Sequence, residues 1–269
     1  MRTECPLRSK SILGCILTAL LFSSACSYGA ARPSRALRVY AGASLSEALT
    51  EVGSSFEDSR PGETVEFNFG GSQNLRTQIE QGAAADVFVS ANWTEMDALV
   101  MGGFIKIGAP RILVTNELTV IVPAGNPAGL SSLQDLGRPG LKIVLAAEEV
   151  PAGKYALQVL DNLAGVFGAG YKGRVMGNVV SLEDNVRQVV TKVQLGEADA
   201  GIVYVSDAVA APELKTITIP AESNVIAEYP IAPLIGSAKP DLAAAFIGYL
   251  LSPGAQAVFK RSGFTSAVP

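Results

Sequence analysis

The stretch that decides the fold runs from Thr64 to Ala91, TVEFNFGGSQNLRTQIEQGAAADVFVSA. Val65, Phe67 and Phe69 alternate with polar residues, the period of a half-buried strand. The chain then meets Gly70, Gly71 and Ser72, and beyond them Leu75 and Ile79 share one face of a helix predicted over 73–81. ADVFVSA, 85–91, reads as the next strand. Strand, helix and strand joined by short turns make a parallel pair with its helix laid across a face. A glycine-rich turn feeding a helix N-terminus is also a ready anion site. Phosphate loops usually add a lysine and none is near, so any anion held here needs neutral donors.

The same grammar extends in both directions. LRVYA, 37–41, reads as a first strand, and Ser44-Leu45-Ser46-Glu47 as a capping box with Ser44 as cap and Glu47 reaching back. Leu45, Ala48, Leu49, Val52 and Phe56 follow at helical spacing, and a third helix is predicted over 92–102. Strands are expected at 117–123, 141–147 and 199–205, with helices in PAGKYALQVLDNLAG, 151–165, and DNVRQVVTKVQLG, 184–196. In the latter, Val186, Val189, Val190 and Val193 share a face and Gly196 ends it. YPIAPLIG, 229–236, returns as a strand, and 240–264 supplies one or two closing helices. This order implies an α/β protein of two lobes: 36–117 with 224–269 as lobe one, and 118–223 as lobe two. Two chain crossings make a hinge over a cleft, and strand ends and helix starts face that cleft.

Composition removes several classes of function. The 269 residues are 48% hydrophobic with net charge −4, which suits a core-forming α/β chain and not a nucleic-acid binder, whose faces are basic. There is no histidine, so Ser-His-Asp and Cys-His catalysis and histidine metal sites are excluded. Residues 1–30 read as a secretory signal peptide: Arg2, Arg8 and Lys10 precede the apolar run Ile12–Phe22, and small residues follow. Cys5, Cys15 and Cys26 all fall in or beside that leader, so the mature fold is expected to hold no disulfide and no cysteine metal site. Two fates stand open for Cys26: lipid attachment after cleavage before it, or removal with the leader; Ser23, where lipoprotein signals prefer leucine, weighs against lipid.

Four junctions share one chemistry, a small or hydroxyl residue where a strand gives way to a helix. They are Ser44, Ser72, Ala152 just after Pro151, and Val186, early in a helix that Asp184 or Asn185 would cap. First-turn N–H groups have no intrahelical acceptor, and each helix start carries roughly +0.5 charge. Several aimed at one point would hold a dianion without lysine or arginine. The plainer reading of each serine is an N-cap, of Gly70-Gly71 a turn, and of Tyr204 in GIVYVSDA a core or rim residue.

In order along the chain, YAGASLSEAL, FNFGGSQNLRTQIEQGAAADVFVSAN, VPAGKYA, DNVRQVV and GEADAGIVYVSDA resemble the periplasmic molybdate-binding proteins, the substrate-binding components of molybdate ABC transporters. The resemblance spans about residues 38–265. It implies the type II periplasmic binding fold, two Rossmann-like lobes joined by a two-strand hinge, and a molybdate or tungstate ligand with no cofactor. It also implies a membrane permease as partner, an extracytoplasmic location and a monomer. The family's oxyanion contacts map onto the hydroxyls and N–H groups of Ser44 and Ser72, the N–H groups of Ala152 and Val186, and the hydroxyl of Tyr204. The family usually has Ser-Ser-Gly at the second turn; this chain has Gly71-Ser72-Gln73. The stretch 160–180 is longer than in many relatives.

Every such contact donates. A donor-only pocket suits a fully deprotonated dianion and disfavours monohydrogen phosphate, whose proton needs an acceptor. That chemistry does not separate molybdate from sulfate, so a sulfate-binding protein of the same fold is the alternative. An exported enzyme using Glu47, Asp184 or Asp207 is a further one, against which these acids read more simply as caps and surface residues.

Overall fold

The computed structural model describes residues 36–266; the leader and Cys26 lie outside the described residues. The chain runs β1 (Ala36–Gly42), α1 (Ser46–Ser59), β2 (Thr64–Gly70), α2 (Ser72–Glu80), β3 (Val87–Val89), α3 (Trp93–Met101), β4 (Arg111–Asn116) and β5 (Leu118–Val122). It continues with β6 (Ile143–Ala146), α4 (Pro151–Phe167), α5 (Tyr171–Met176), β7 (Val179–Glu183), α6 (Val186–Gln194), β8 (Ala200–Tyr204), α7 (Val205–Val209) and β9 (Lys215–Thr218). It closes with β10 (Ala227–Pro233), α8 (Pro240–Leu250), α9 (Pro253–Arg261) and β11 (Thr265–Ser266).

β1 pairs in parallel with β2 on one side and β3 on the other, Val39 lying beside both Phe67 and Val87. Leu37, Val39 and Ala41 of β1 are wholly buried, as are Leu49 and Phe56 of α1 packed over them. Gly53 lets α1 sit close to β2, because a Cβ there would fall 2.6 Å from the Phe67 ring. The first sheet has the order β11-β4-β10-β3-β1-β2, and β10 runs antiparallel to both its neighbours. The second has the order β7-β6-β8-β5-β9, with β6 parallel to β7 and β8, and β5 antiparallel to β8 and β9. The fold is thus two α/β lobes, as the alternation of strands and helices requires.

The chain passes between the sheets twice. Only Glu117 separates β4 from β5, and the return runs from the end of β9 to the start of β10. Asn224, on the return, bonds both main-chain groups of Leu118: its Oδ1 accepts the Leu118 N–H at 3.1 Å and its Nδ2 donates to the Leu118 carbonyl at 2.9 Å. The two crossings are therefore tied side by side, which satisfies main-chain groups that no sheet partner reaches.

Several expectations are corrected. The Ser44–Glu47 capping box does not form: Ala43–Leu45 is a 3-10 turn, the Ser46 N–H bonds the Ala43 carbonyl, and α1 starts at Ser46. With the turn closed through the backbone, Ser44 Oγ is free to meet the Tyr229 hydroxyl at 2.9 Å, and Glu47 accepts from Ser46 Oγ at 2.8 Å. The strand expected over 85–91 shortens to Val87–Val89, as Ala91 turns its N–H to Ser72 Oγ. β4, β7, β9, α5 and α7 had no separate place in the sequence reading. The closing segment is two helices, broken at Ser252, which caps α9, and Pro253, which has no N–H to continue α8. α6 ends as expected: the Gly196 N–H bonds Val193 O and the Glu197 N–H bonds Lys192 O, with Gly196 at φ 72°.

Candidate functional site

All five sequence-predicted residues, Ser44, Ser72, Ala152, Val186 and Tyr204, line one small cavity of about 10 Å³. That is room for about one water-sized sphere, and none of the residues lining it is charged.

The first sheet contributes two turns. β1 runs into the 3-10 turn that carries Ser44, which is buried beneath the cavity against Tyr229. β2 runs into Gly71 and then Ser72, the first residue of α2. No side chain caps α2, so its first N–H groups stay available. Ser72 Oγ accepts the Ala91 N–H at 3.0 Å, and its own proton remains to be donated.

The second sheet contributes two helix starts and one side chain. α4 begins at Pro151, with Val150 as N-cap and no side-chain cap, which leaves the Ala152 N–H open. Gly153 allows this approach: a Cβ there would sit 2.0 Å from the Ala147 carbonyl, so only glycine brings α4 so near the end of β6. Asn185, and not Asp184, caps α6 by accepting the Gln188 N–H at 3.2 Å, with Val186 first in the helix. Tyr204 ends β8; it is 1% exposed, packs edge-on to Tyr229 with ring centroids 5.7 Å apart, and its hydroxyl makes no well-formed hydrogen bond, although the Tyr229 hydroxyl is near enough to interact with it. Burial pushes that phenol well above its usual range, so the hydroxyl keeps its proton and is a donor.

Asp207 lies just behind. It is wholly buried, not the surface residue the sequence suggested, and its Oδ2 accepts the Tyr204 N–H at 3.2 Å. Burial raises its carboxyl to about 7, against the opposing pull of Arg187, whose guanidinium is 3.6 Å away. Glu47 and Asp184 are both exposed, and Glu47 pairs with Arg187. None of the three acids lines the cavity. Two residues escaped the sequence reading: Tyr229, seen there only as part of a strand, and Gln73, which is buried beside the cavity. Neither carries a local signal, since each acts through a partner far along the chain.

The arrangement is a small, uncharged cage of donors: serine hydroxyls, first-turn N–H groups and one buried phenol. The sequence profile of bacterial extracellular solute-binding proteins matches residues 37–265. The molybdate-binding protein ModA of Mycobacterium tuberculosis is 37% identical over 88% of this chain and 87% of its own. A putative ABC transporter substrate-binding lipoprotein of Bacillus subtilis, YvgL, is 32% identical over 95% of this chain and 98% of its own. Among solved structures, the substrate-binding domain of a putative molybdenum ABC transporter from Clostridium difficile matches with TM-score 0.65 and 32% identity, covering 86% of this chain and 98% of that one.

Proposed function

We propose that this chain, which belongs to the bacterial extracellular solute-binding protein family, captures molybdate, and tungstate with it, and delivers the anion to the permease of an ABC transporter. The observation that carries the reading is the Tyr204 hydroxyl. It is buried, protonated and without a well-formed hydrogen bond, in a cavity otherwise lined by serine hydroxyls, helix starts and Asn185. A buried donor without an acceptor costs about 1–3 kcal/mol, and a tetraoxo dianion supplies the missing acceptor.

In this reading the anion takes hydrogen bonds from the N–H groups and hydroxyls of Ser44 and Ser72, the N–H groups of Ala152 and Val186, and Tyr204. Either hydroxyl of the Ser44–Tyr229 pair can donate, and donation from Tyr229 leaves the Ser44 proton for the cavity. The helix starts add their dipoles, so no cationic side chain is needed. Lobe one comprises 36–117 and 224–269, and lobe two 118–223; an anion touching both stabilises only the closed form and so shifts the population toward it. The protein acts as a monomer, without catalysis, outside the cytoplasmic membrane after cleavage of its leader. The mass of the mature N-terminus decides whether Cys26 carries lipid.

Calorimetric titration of the leaderless protein tests the reading. Molybdate and tungstate are expected to bind tightly at one anion per chain, and phosphate not to bind. Sulfate satisfies the same donors, so sulfate binding far tighter than molybdate binding moves the assignment to the sulfate reading. Phosphate binding without a molybdate response removes the donor-only site.

A further inference from the structure

The lobes also touch beside the cavity, through groups that do not line it. Gln73, at the start of α2, is 9% exposed; its Nε2 donates to the Asp184 carbonyl at 3.0 Å, and its Oε1 has no partner. A Cβ on Gly71 would fall 2.5 Å from the same carbonyl, so the β2–α2 turn and the chain before α6 meet with room for nothing larger than glycine. Arg187, in the first turn of α6, extends to Glu47 on α1.

Asp184 to Arg187 is also the segment that presents the Val186 N–H to the cavity. Motion that separates Gln73 from Asp184 must carry the Val186 donor away from a bound anion.

We infer that Gln73 and Glu47 are positioning residues of an interlobe clasp: they hold the start of α6 against lobe one and lengthen the stay of an anion they never touch. The inference rests on the oxyanion reading above. Partners 111 and 140 residues apart, on opposite lobes, meet only when the lobes are closed. Their bonds therefore act on release, not on capture.

The test loads the leaderless protein with radiolabelled molybdate and follows its exchange against excess unlabelled molybdate. Gln73→Ala keeps α2 helical and should release the anion about 3- to 10-fold faster, the worth of one hydrogen bond, with the association rate within about twofold of the parent. Glu47→Gln should speed release about twofold in low salt and not at all in high salt, because the pair is partly exposed. The ligand-free melting temperature of both variants should match the parent, since the open form lacks the clasp. Parental release from Gln73→Ala overturns the clasp and leaves the oxyanion reading standing. So does faster release with an equally destabilised ligand-free protein, which marks a merely structural residue. A parent that holds no molybdate overturns both.

Discussion

The two lobes bring different chemistry to the same cavity. Lobe one offers hydroxyls, Ser44 and Ser72, each already engaged with a buried neighbour. Lobe two offers the main chain at two helix starts, together with Tyr204, whose hydroxyl makes no well-formed hydrogen bond. The difference separates what residue identity fixes from what backbone path fixes. A hydroxyl donor is lost with its side chain, whereas an N–H donor survives every substitution except proline and depends on how the helix is seated. On the oxyanion reading, binding and stability share groups on lobe one; at Tyr204 they do not.

The strongest way to break this contrast is at a main-chain donor. Ala152→Pro removes the N–H and places a ring carbon where it pointed, while the first turn of a helix tolerates the residue. Molybdate affinity should fall about 100-fold or more by calorimetry, with circular dichroism unchanged; Ala152→Gly, which keeps the N–H, should bind within a few-fold of the parent. Next comes Tyr204→Phe, expected to weaken binding about 10- to 150-fold, the range for one hydrogen bond to a charged ligand. Because the hydroxyl makes no well-formed hydrogen bond, its loss should leave the ligand-free melting temperature the same or higher.

Ser44→Ala and Ser72→Ala sharpen the other side. Each should weaken binding about 10-fold or more and also cost roughly 1 kcal/mol or more of stability in chemical denaturation. Ser72→Ala strands the Ala91 N–H, and Ser44→Ala takes away the hydroxyl that Tyr229 meets. If either serine variant lost affinity with no loss of stability, the two lobes would not differ in the way described.

The last test is of pH dependence. The Asp207 carboxyl is raised to about 7 when folded, above the ordinary aspartate value of 3.8. A raised acid makes the folded state bind more protons than the unfolded one between these values. Its contribution to stability is therefore full below about 4, declines as pH rises toward 7, and is level above. Thermal denaturation of the parent against Asp207→Asn across that window should show the parent losing ground as pH increases. A constant difference would mean Asp207 is charged throughout, held so by Arg187.

Much of the fold was legible because β1, β2 and α1 carry their burial in simple periods, and because GGS and VPAG mark places where helices must start. What was not legible has physical causes. β7 and β9 are short strands at the edges of their sheet, half exposed, and without a continuous apolar run. β4 abuts β5 across a single residue, and no glycine or proline marks the passage from one sheet to the other. Ser44 read as a helix cap because its sequence neighbours allow one; its actual partner, Tyr229, is 185 residues away and no local pattern points to it. The same holds for Gln73 and Asp184.

The Asn224 bridge to Leu118 has a mechanical consequence. A side-chain amide that takes both peptide groups of the facing strand stands in for a rung of sheet, with only Glu117 between that rung and the first lobe on the outgoing crossing. Two chains pinned so closely resist sliding past each other and yield more readily to twisting about the pin. On the proposed closing motion, the pin favours a change of angle over a slide. A pair of spectroscopic labels on opposite lobes reads that change, and Asn224→Ala should broaden the distance distribution that such a pair records.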